Sequence, residues 1–334
     1  MVAALVVAIG FGFMLGVSDA PNATASLIAS RVTSYPKAMM LSFIAHTLGG
    51  LFAGEAVALT MASLVHVPPN RTAVTYLIGG LVSIGFTLLL THRGIPVSAS
   101  IALVGGLAGA AIVEAGWHGV GWGGFHGMRP YGVIGTLVAI VVSPLLGALC
   151  SAAVRYLLGR RLAKSTRSVL SPLKSAIWVS AFLVGLADGS NDGQKAMGMA
   201  TVVLLAGGAI RTFAVPIWVV VVTALALGIG TAVGGRRIVR TVSSRFYRGG
   251  SLDCLAAQGS SALVILGSAW LGAPVSTSTV VASSMVGVGS VGRRRHVHWP
   301  TVVLVVWTWL ITVPACAVLG AVLAGLAHII SSLF

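Results

Sequence analysis

The stretch GLADGSNDGQKAMG, Gly185 to Gly198, sets Asp188, Asn191, Asp192, Gln194 and Lys195 between two apolar segments. It constrains the chain more than any other feature. Ionisable side chains inside a membrane segment are costly enough to mark a functional site by default, and three of them fall here within two helical turns. The glycines Gly185, Gly189, Gly193 and Gly198 predict a broken helix, which at membrane depth requires that the backbone line a cavity or be buried in protein.

The surroundings are those of an integral membrane protein. Of 334 residues 57% are hydrophobic and only 8% charged, which predicts an all-α polytopic chain. The net charge of +15 would suggest nucleic acid in a soluble protein. Here the basic residues stand in short loops between apolar segments, where they set orientation, so nucleic acid is not an expected partner. Cys150, Cys254 and Cys316 lie in separate segments without ligand spacing, and imply neither disulfide framework nor zinc site. The chain is apolar from Met1 with no basic residue before Arg31. That stretch is expected to remain as the first membrane segment rather than be cleaved as a signal.

A weaker copy of the central stretch lies at GVSDAPNATAS, Gly16 to Ser26, which places Asp19 173 residues before Asp192. Two further motifs, IPVSAS (Ile95 to Ser100) and APVSTS (Ala273 to Ser278), are offset by 178 residues. Near-equal offsets imply an internal duplication. The expected organisation is a first repeat over 1–158, a basic cytoplasmic linker over 159–173 and a second repeat over 174–334. Repeats with a Gly/Pro-interrupted segment in corresponding places point to the binding site of a secondary transporter.

Apolar segments run at roughly 2–16 with 22–34 as one broken pass, then 37–65, 71–91, 97–115 and 132–158. The second half repeats the pattern: 174–187 with 193–206, then 211–234, 255–271, 275–290 and 300–328. Five crossings per half is odd, so the halves are expected with inverted topology. With both termini outside, 17 basic residues fall in cytoplasmic loops and three (Arg71, Arg129, Arg211) outside, with Lys195 the one in the core. That bias supports the orientation. The outer loop Ala115 to Tyr131, rich in Gly, Trp and His, is read as an interfacial anchor rather than as a metal site at His118 and His126. The basic Arg160 to Arg167 and Arg293 to His298 are topology anchors that also suit contact with membrane lipid.

Where a helix starts inside a membrane, its free N–H groups form an anion-seeking end. Ser18, Asp19, Ser190, Asn191 and Asp192 are types that cap such a start. In the PVS loops proline suits the first helical turn, and Ser98, Ser100, Ser276, Thr277, Ser278 and Thr279 add hydroxyls. Four helix starts are therefore expected to converge on one tetrahedral oxyanion, while Asp19, Asp188 and Asp192 hold a coupling Na⁺ or H⁺, or accept a proton from the substrate. Capping and packing without a ligand would account for a single Ser-Asp pair. They account poorly for a duplicated set in a chain with six acidic residues in all.

On these motifs the chain resembles the inorganic phosphate transporter family of the Pit type. That family carries duplicated G-x-N-D-x-x-N-A or G-A-N-D-G-Q-K and P-[IV]-S-[ST]-T-H motifs. GSNDGQKAMG is very close to the bacterial form, and AQG at Ala257 to Gly259 is similar to the family's segment before the second PVS motif. The resemblance covers essentially the whole chain. It implies two inverted repeats with broken or re-entrant helices, termini outside the plasma membrane, frequent homodimers, and symport of phosphate with H⁺ or Na⁺. It marks Asp19, Asn22, Asn191, Asp192, Lys195, Ser98, Ser276 and Thr277, and adds Gln194 and Gln258 to the coupling-ion group. No cofactor or resident metal is expected beyond the coupling ion. The chain departs at Ser18, where the family has Asn, and at both Thr-His endings, replaced by Ser100-Ile101 and Ser278-Thr279. A sulfate or other oxyanion permease is the same-fold alternative, and a passive anion channel a different class. An enzyme acting on lipid phosphate would need a nucleophile and base, and no pair has that spacing.

The charge bias makes a direct prediction. With Lys164→Cys and Phe334→Cys in intact cells, an impermeant thiol reagent should label the Phe334 site and spare the Lys164 site; the reverse pattern would overturn the inverted-repeat topology.

Overall fold

Long apolar runs satisfy their backbone hydrogen bonds internally only as helix, and the chain folds accordingly. The computed structural model describes residues 1–29, 33–93, 97–162, 170–234, 250–291 and 299–333. Several topology residues, Arg31, Lys164, Arg167, the five arginines from Arg236 to Arg248 and Arg293 to Arg295, lie outside them, as do Pro96 and residues 163–169 of the expected linker.

The first half comprises α1 (Val2–Ala29), α2 (Tyr35–Leu51), α3 (Ala56–Ala62), α4 (Pro69–His92), α5 (Ala99–Ala115) and α6 (Gly132–Leu162). The second comprises α7 (Leu170–Ala206), α8 (Ile217–Val233), α9 (Ser251–Trp270), α10 (Thr277–Val291) and α11 (Trp299–Leu333). Between α5 and α6 a small antiparallel hairpin, β1 (Gly124–His126) and β2 (Arg129–Tyr131), carries the Gly/Trp/His-rich loop. Helices α1, α4, α6, α9 and α11 are each long and apolar enough to cross a membrane, and the bent pair α2–α3 adds a sixth candidate. With 17 residues in α5 and 15 in α10, these two extend only about 22–26 Å at 1.5 Å per residue, short of the roughly 30 Å hydrocarbon core.

The expected breaks at the two acidic motifs do not occur. Val2–Ala29 and Leu170–Ala206 are uninterrupted helices, the first carrying Pro21 within it. The glycines signalled close helix packing instead. A Cβ on Gly16 would stand 2.0 Å from the Leu227 carbonyl oxygen of α8, and one on Gly189 2.2 Å from that of His46 in α2. The break lies where a continuous segment was expected, between α2 and α3, which bend by 74°. Glu55 sits at that break and its Oε1 accepts from the Val215 N–H at 3.3 Å.

Packing repeats under exchange of the halves. Helix α1 lies on α8 as α2 lies on α7, and α5 on α11 as α6 on α10; the α1–α4 and α4–α5 contacts recur as α7–α9 and α9–α10. Helices α1 and α7, which carry the acidic motifs, touch directly. The close contacts recur as well: Gly109 meets the Ala317 backbone of α11, and Gly287 meets the Ala148 backbone of α6. Small residues of this kind let membrane helices approach and gain dispersion contact.

Gly109→Ala and Gly287→Ala, whose added Cβ atoms would lie 1.9 and 2.1 Å from a backbone oxygen, should each destabilise the protein by about 1–3 kcal/mol through overpacking. Gly85→Ala and Gly325→Ala, which meet open space, serve as controls. Thermal unfolding in detergent checks this, with lowered transitions in the first pair only.

Candidate functional site

The acidic motifs meet in the middle of two continuous helices. Asp19 and Asn22 of α1 and Asp188, Asp192 and Lys195 of α7 are all buried. Asn22 Nδ2 donates to Asp19 Oδ1 at 3.0 Å and to Asp188 Oδ2 at 2.9 Å. One amide thus holds two buried carboxyl groups, Asp19 and Asp188, and like charges brought that close favour a proton or a cation between them.

Lys195 ties this cluster to both PVS loops. Its Nζ donates to Asp192 Oδ1 at 2.5 Å, to Ser100 Oγ of α5 at 2.8 Å, and to the Val275 carbonyl in the segment leading into α10. Thr277, the first residue of α10, donates to Asp192 Oδ2 at 3.1 Å. Two helix starts therefore converge here, rather than four, because the acidic motifs are not helix ends. At one of these starts Ser98 caps α5, accepting from the Ile101 N–H at 3.3 Å. At the other, Pro274 stands in the extended lead-in rather than in the first turn, and the buried Ser276 hydroxyl has no partner. The space beside Lys195, bordered by Met61, Ser100, Leu103, Thr136 and Pro274, is too tight for a water molecule.

The other expected residues divide. Asn191 donates to the Ala273 carbonyl at 2.9 Å and accepts from the Val275 N–H at 3.2 Å, which holds the APVSTS segment against α7. Gln194 Oε1 accepts from the Val57 N–H at 2.8 Å, supplying a partner for a free N–H in the first turn of α3. Both hold a neighbouring backbone segment against α7. Ser18 turns back on its own helix, its hydroxyl donating to the Met14 carbonyl at 3.0 Å, and Ser278 lies half-buried one residue into α10. Gln258 stands apart from the acids. It bonds Ser26 and the Ala23 carbonyl of α1 and accepts from Ser180 Oγ of α7 at 2.9 Å. Ser26 is seven residues beyond Asp19, or about 10 Å along the helix.

His46 was missed. Its Nε2 lies 3.7 Å from Asp188 Oδ2 while Nδ1 lies 2.8 Å from the Ser42 carbonyl, and both Nε2 and Asp188 Oδ1 lack a hydrogen-bond partner. The only signal in the sequence is one histidine within the apolar run MMLSFIAHTLGG. No grouping of three or more His, Cys, Asp or Glu side chains among the described residues is arranged to hold a metal ion.

Membrane-length apolar helices around a buried cluster of charge define a multi-pass membrane transport protein. The model of the phosphate transporter family, PHO4, matches residues 15–177 and again 160–320, so the chain belongs to the phosphate transporter family. It is 31% identical to a probable low-affinity inorganic phosphate transporter of Rhizobium meliloti, over 96% of this chain and 94% of that one. It is 36% identical to the protein of the same description from Mycobacterium bovis, over 98% and 77%. Its fold matches a solved structure described as the sodium-dependent phosphate transporter with a TM-score of 0.88 at 20% identity, covering 98% and 99% of the two chains.

Removing one partner of a buried ion pair strands the other. Lys195→Met should therefore destabilise the protein by about 3–5 kcal/mol, and Lys195→Met with Asp192→Asn should recover most of that loss. A double-mutant cycle on thermal unfolding tests this; losses from Lys195→Met and Asp192→Asn that simply add in the double variant would show that the pair is not coupled.

Proposed function

We propose that the chain is a secondary active symporter that carries inorganic phosphate across the cell membrane together with H⁺ or Na⁺. The two halves are inverted repeats, and access alternates about the site between them. The observation that carries this is the composition of the buried cluster: three carboxylates, Asp19, Asp188 and Asp192, face one ammonium, Lys195, and the imidazole of His46. Such a cluster repels a second anion unless cations or protons enter with it, and that requirement is coupling in electrostatic form. Burial of the whole cluster supports alternation, since ions held away from solvent must be exposed to one side before they leave.

Phosphate is favoured among oxyanions by the same acids. At neutral pH it keeps a proton on at least one oxygen and can donate to a buried carboxylate, whereas sulfate has none to give. Sites built to accept from a substrate hydroxyl discriminate by about 10⁴ or more against analogues lacking it. The hydroxyls of Ser98, Ser100 and Ser276, with the N–H groups at the starts of α5 and α10, supply donors for the remaining oxygens.

Proteoliposomes loaded with the full chain should accumulate radiolabelled phosphate when a Na⁺ or a pH gradient is imposed, and arsenate in excess should compete while sulfate does not. Asp19→Asn should lower uptake at least 100-fold with the protein still folded, while Asp192→Asn, which strands the Lys195 ammonium, should lose uptake together with stability. Uptake indifferent to both gradients, or competition by sulfate equal to that by arsenate, would defeat the reading.

A further inference from the structure

The ammonium of Lys195 is in the wrong condition to bind a substrate anion. A lysine has three N–H donors, and all three are taken by Asp192 Oδ1, Ser100 Oγ and the Val275 carbonyl. One carboxylate, one hydroxyl and one backbone carbonyl is instead the donor set that transporters and hard-cation sites present to a metal cation. The ammonium stands where such an ion would stand.

The repeat shows what occupies the equivalent position in the other half. The 173-residue offset that pairs Asp19 with Asp192 pairs Asn22 with Lys195. Both side chains lie three residues after their aspartate and hydrogen-bond it, Asn22 at 3.0 Å and Lys195 at 2.5 Å. The 178-residue offset carries Ser100 onto Ser278 and Val275 onto Val97. Helix α1 touches both α5 and α10, the helices that bear or follow these two residues. One position therefore has a carboxylate, a hydroxyl and a carbonyl filled by a tethered cation; at its counterpart a neutral amide, Asn22, donates to the Asp19 and Asp188 carboxylates, and the repeat offset assigns Ser278 and Val97 as the equivalent hydroxyl and carbonyl.

We propose that Lys195 is a built-in counter-cation: its ammonium permanently occupies one of two equivalent monovalent-cation positions, leaving only the Asp19–Asn22 position for a mobile coupling ion. The number of cations carried with each phosphate is then lower by one than the duplicated architecture would allow. The inference rests on the reading that the acidic cluster takes a coupling cation.

Saturable binding of radiolabelled Na⁺ to the purified full chain, with phosphate absent, tests it. Lys195→Asn, which makes the second position resemble the first, should bind one more Na⁺ per chain than the wild type, and Na⁺ should raise its unfolding temperature where N-methylglucamine does not. Lys195→Arg should bind the same number as the wild type. Lys195→Gln gives a second neutral variant should the asparagine be too short to pack. Equal Na⁺ binding by the wild type and the neutral variants overturns the proposal, and so does failure of both neutral variants to fold even in high Na⁺, since Na⁺ must then be unable to replace the ammonium. Wild-type phosphate uptake that ignores both cation gradients would instead sink the symport reading, whatever the Na⁺ count.

Discussion

The contact between Lys195 and Asp192 is the interaction on which the centre of this protein depends. Neither side chain reaches solvent, so each is tolerable only because of the other and of the oxygens that complete their shells. Those oxygens belong to parts of the chain far apart in sequence, Ser100 in α5 and Val275 ahead of α10. Satisfying one buried ammonium thus pins the tips of two hairpins, one per half, against α7. Asn191 fastens the same segment a second time through its backbone. The arrangement resists unfolding of the site and makes any opening costly unless something replaces the bonds that open.

That cost sets what can drive a transport cycle. In the proposed cycle, opening either side would separate elements that now share polar contacts: the Ser26–Gln258–Ser180 bridge joins α1, α9 and α7, and the Thr60 hydroxyl, donating to the Gly272 carbonyl at 2.7 Å, joins α3 to the loop after α9. These two sets lie on opposite sides of the acids along α7. Ligands that shift the balance must bind one arrangement better than the other. An anion and a cation that neutralise the acidic cluster together satisfy this requirement more easily than either alone.

Close helix approach is the second structural constraint, and it explains the abundance of glycine. The chain has 43 glycines. At Gly16, Gly109, Gly189 and Gly287 a Cβ would lie within about 2 Å of a neighbouring backbone oxygen. Without water to drive apolar association inside a membrane, helices hold together by such contacts. The acidic motifs sit beside these glycines because charge must be enclosed by backbone packed tightly enough to keep lipid and water away.

By itself the sequence determined the membrane class and the helical content, and it singled out most of the polar residues that the fold buries together: apolar periodicity and the rarity of charge leave few alternatives, and an unexplained carboxylate in an apolar segment is conspicuous. Asp19, Asn22, Asp192, Lys195, Ser100 and Thr277 were all legible in this way. The tertiary structure alone decided how they act. Glycine near a polar motif reads equally as a helix break or as a packing surface, and only the neighbouring helix, absent from any local window, makes it the latter in α1 and α7. The bend between α2 and α3 has no local signal because the mostly apolar run from Lys37 to Val65 contains no proline and a single acidic residue, Glu55. His46 escaped because one histidine has no spacing to recognise. Asn191 and Gln194 hold backbone segments against α7, and Lys195 has its donors taken, for the same reason: the role of a polar group in a buried site is set by which partners reach it, and those partners come from helices that the sequence brings together only by folding.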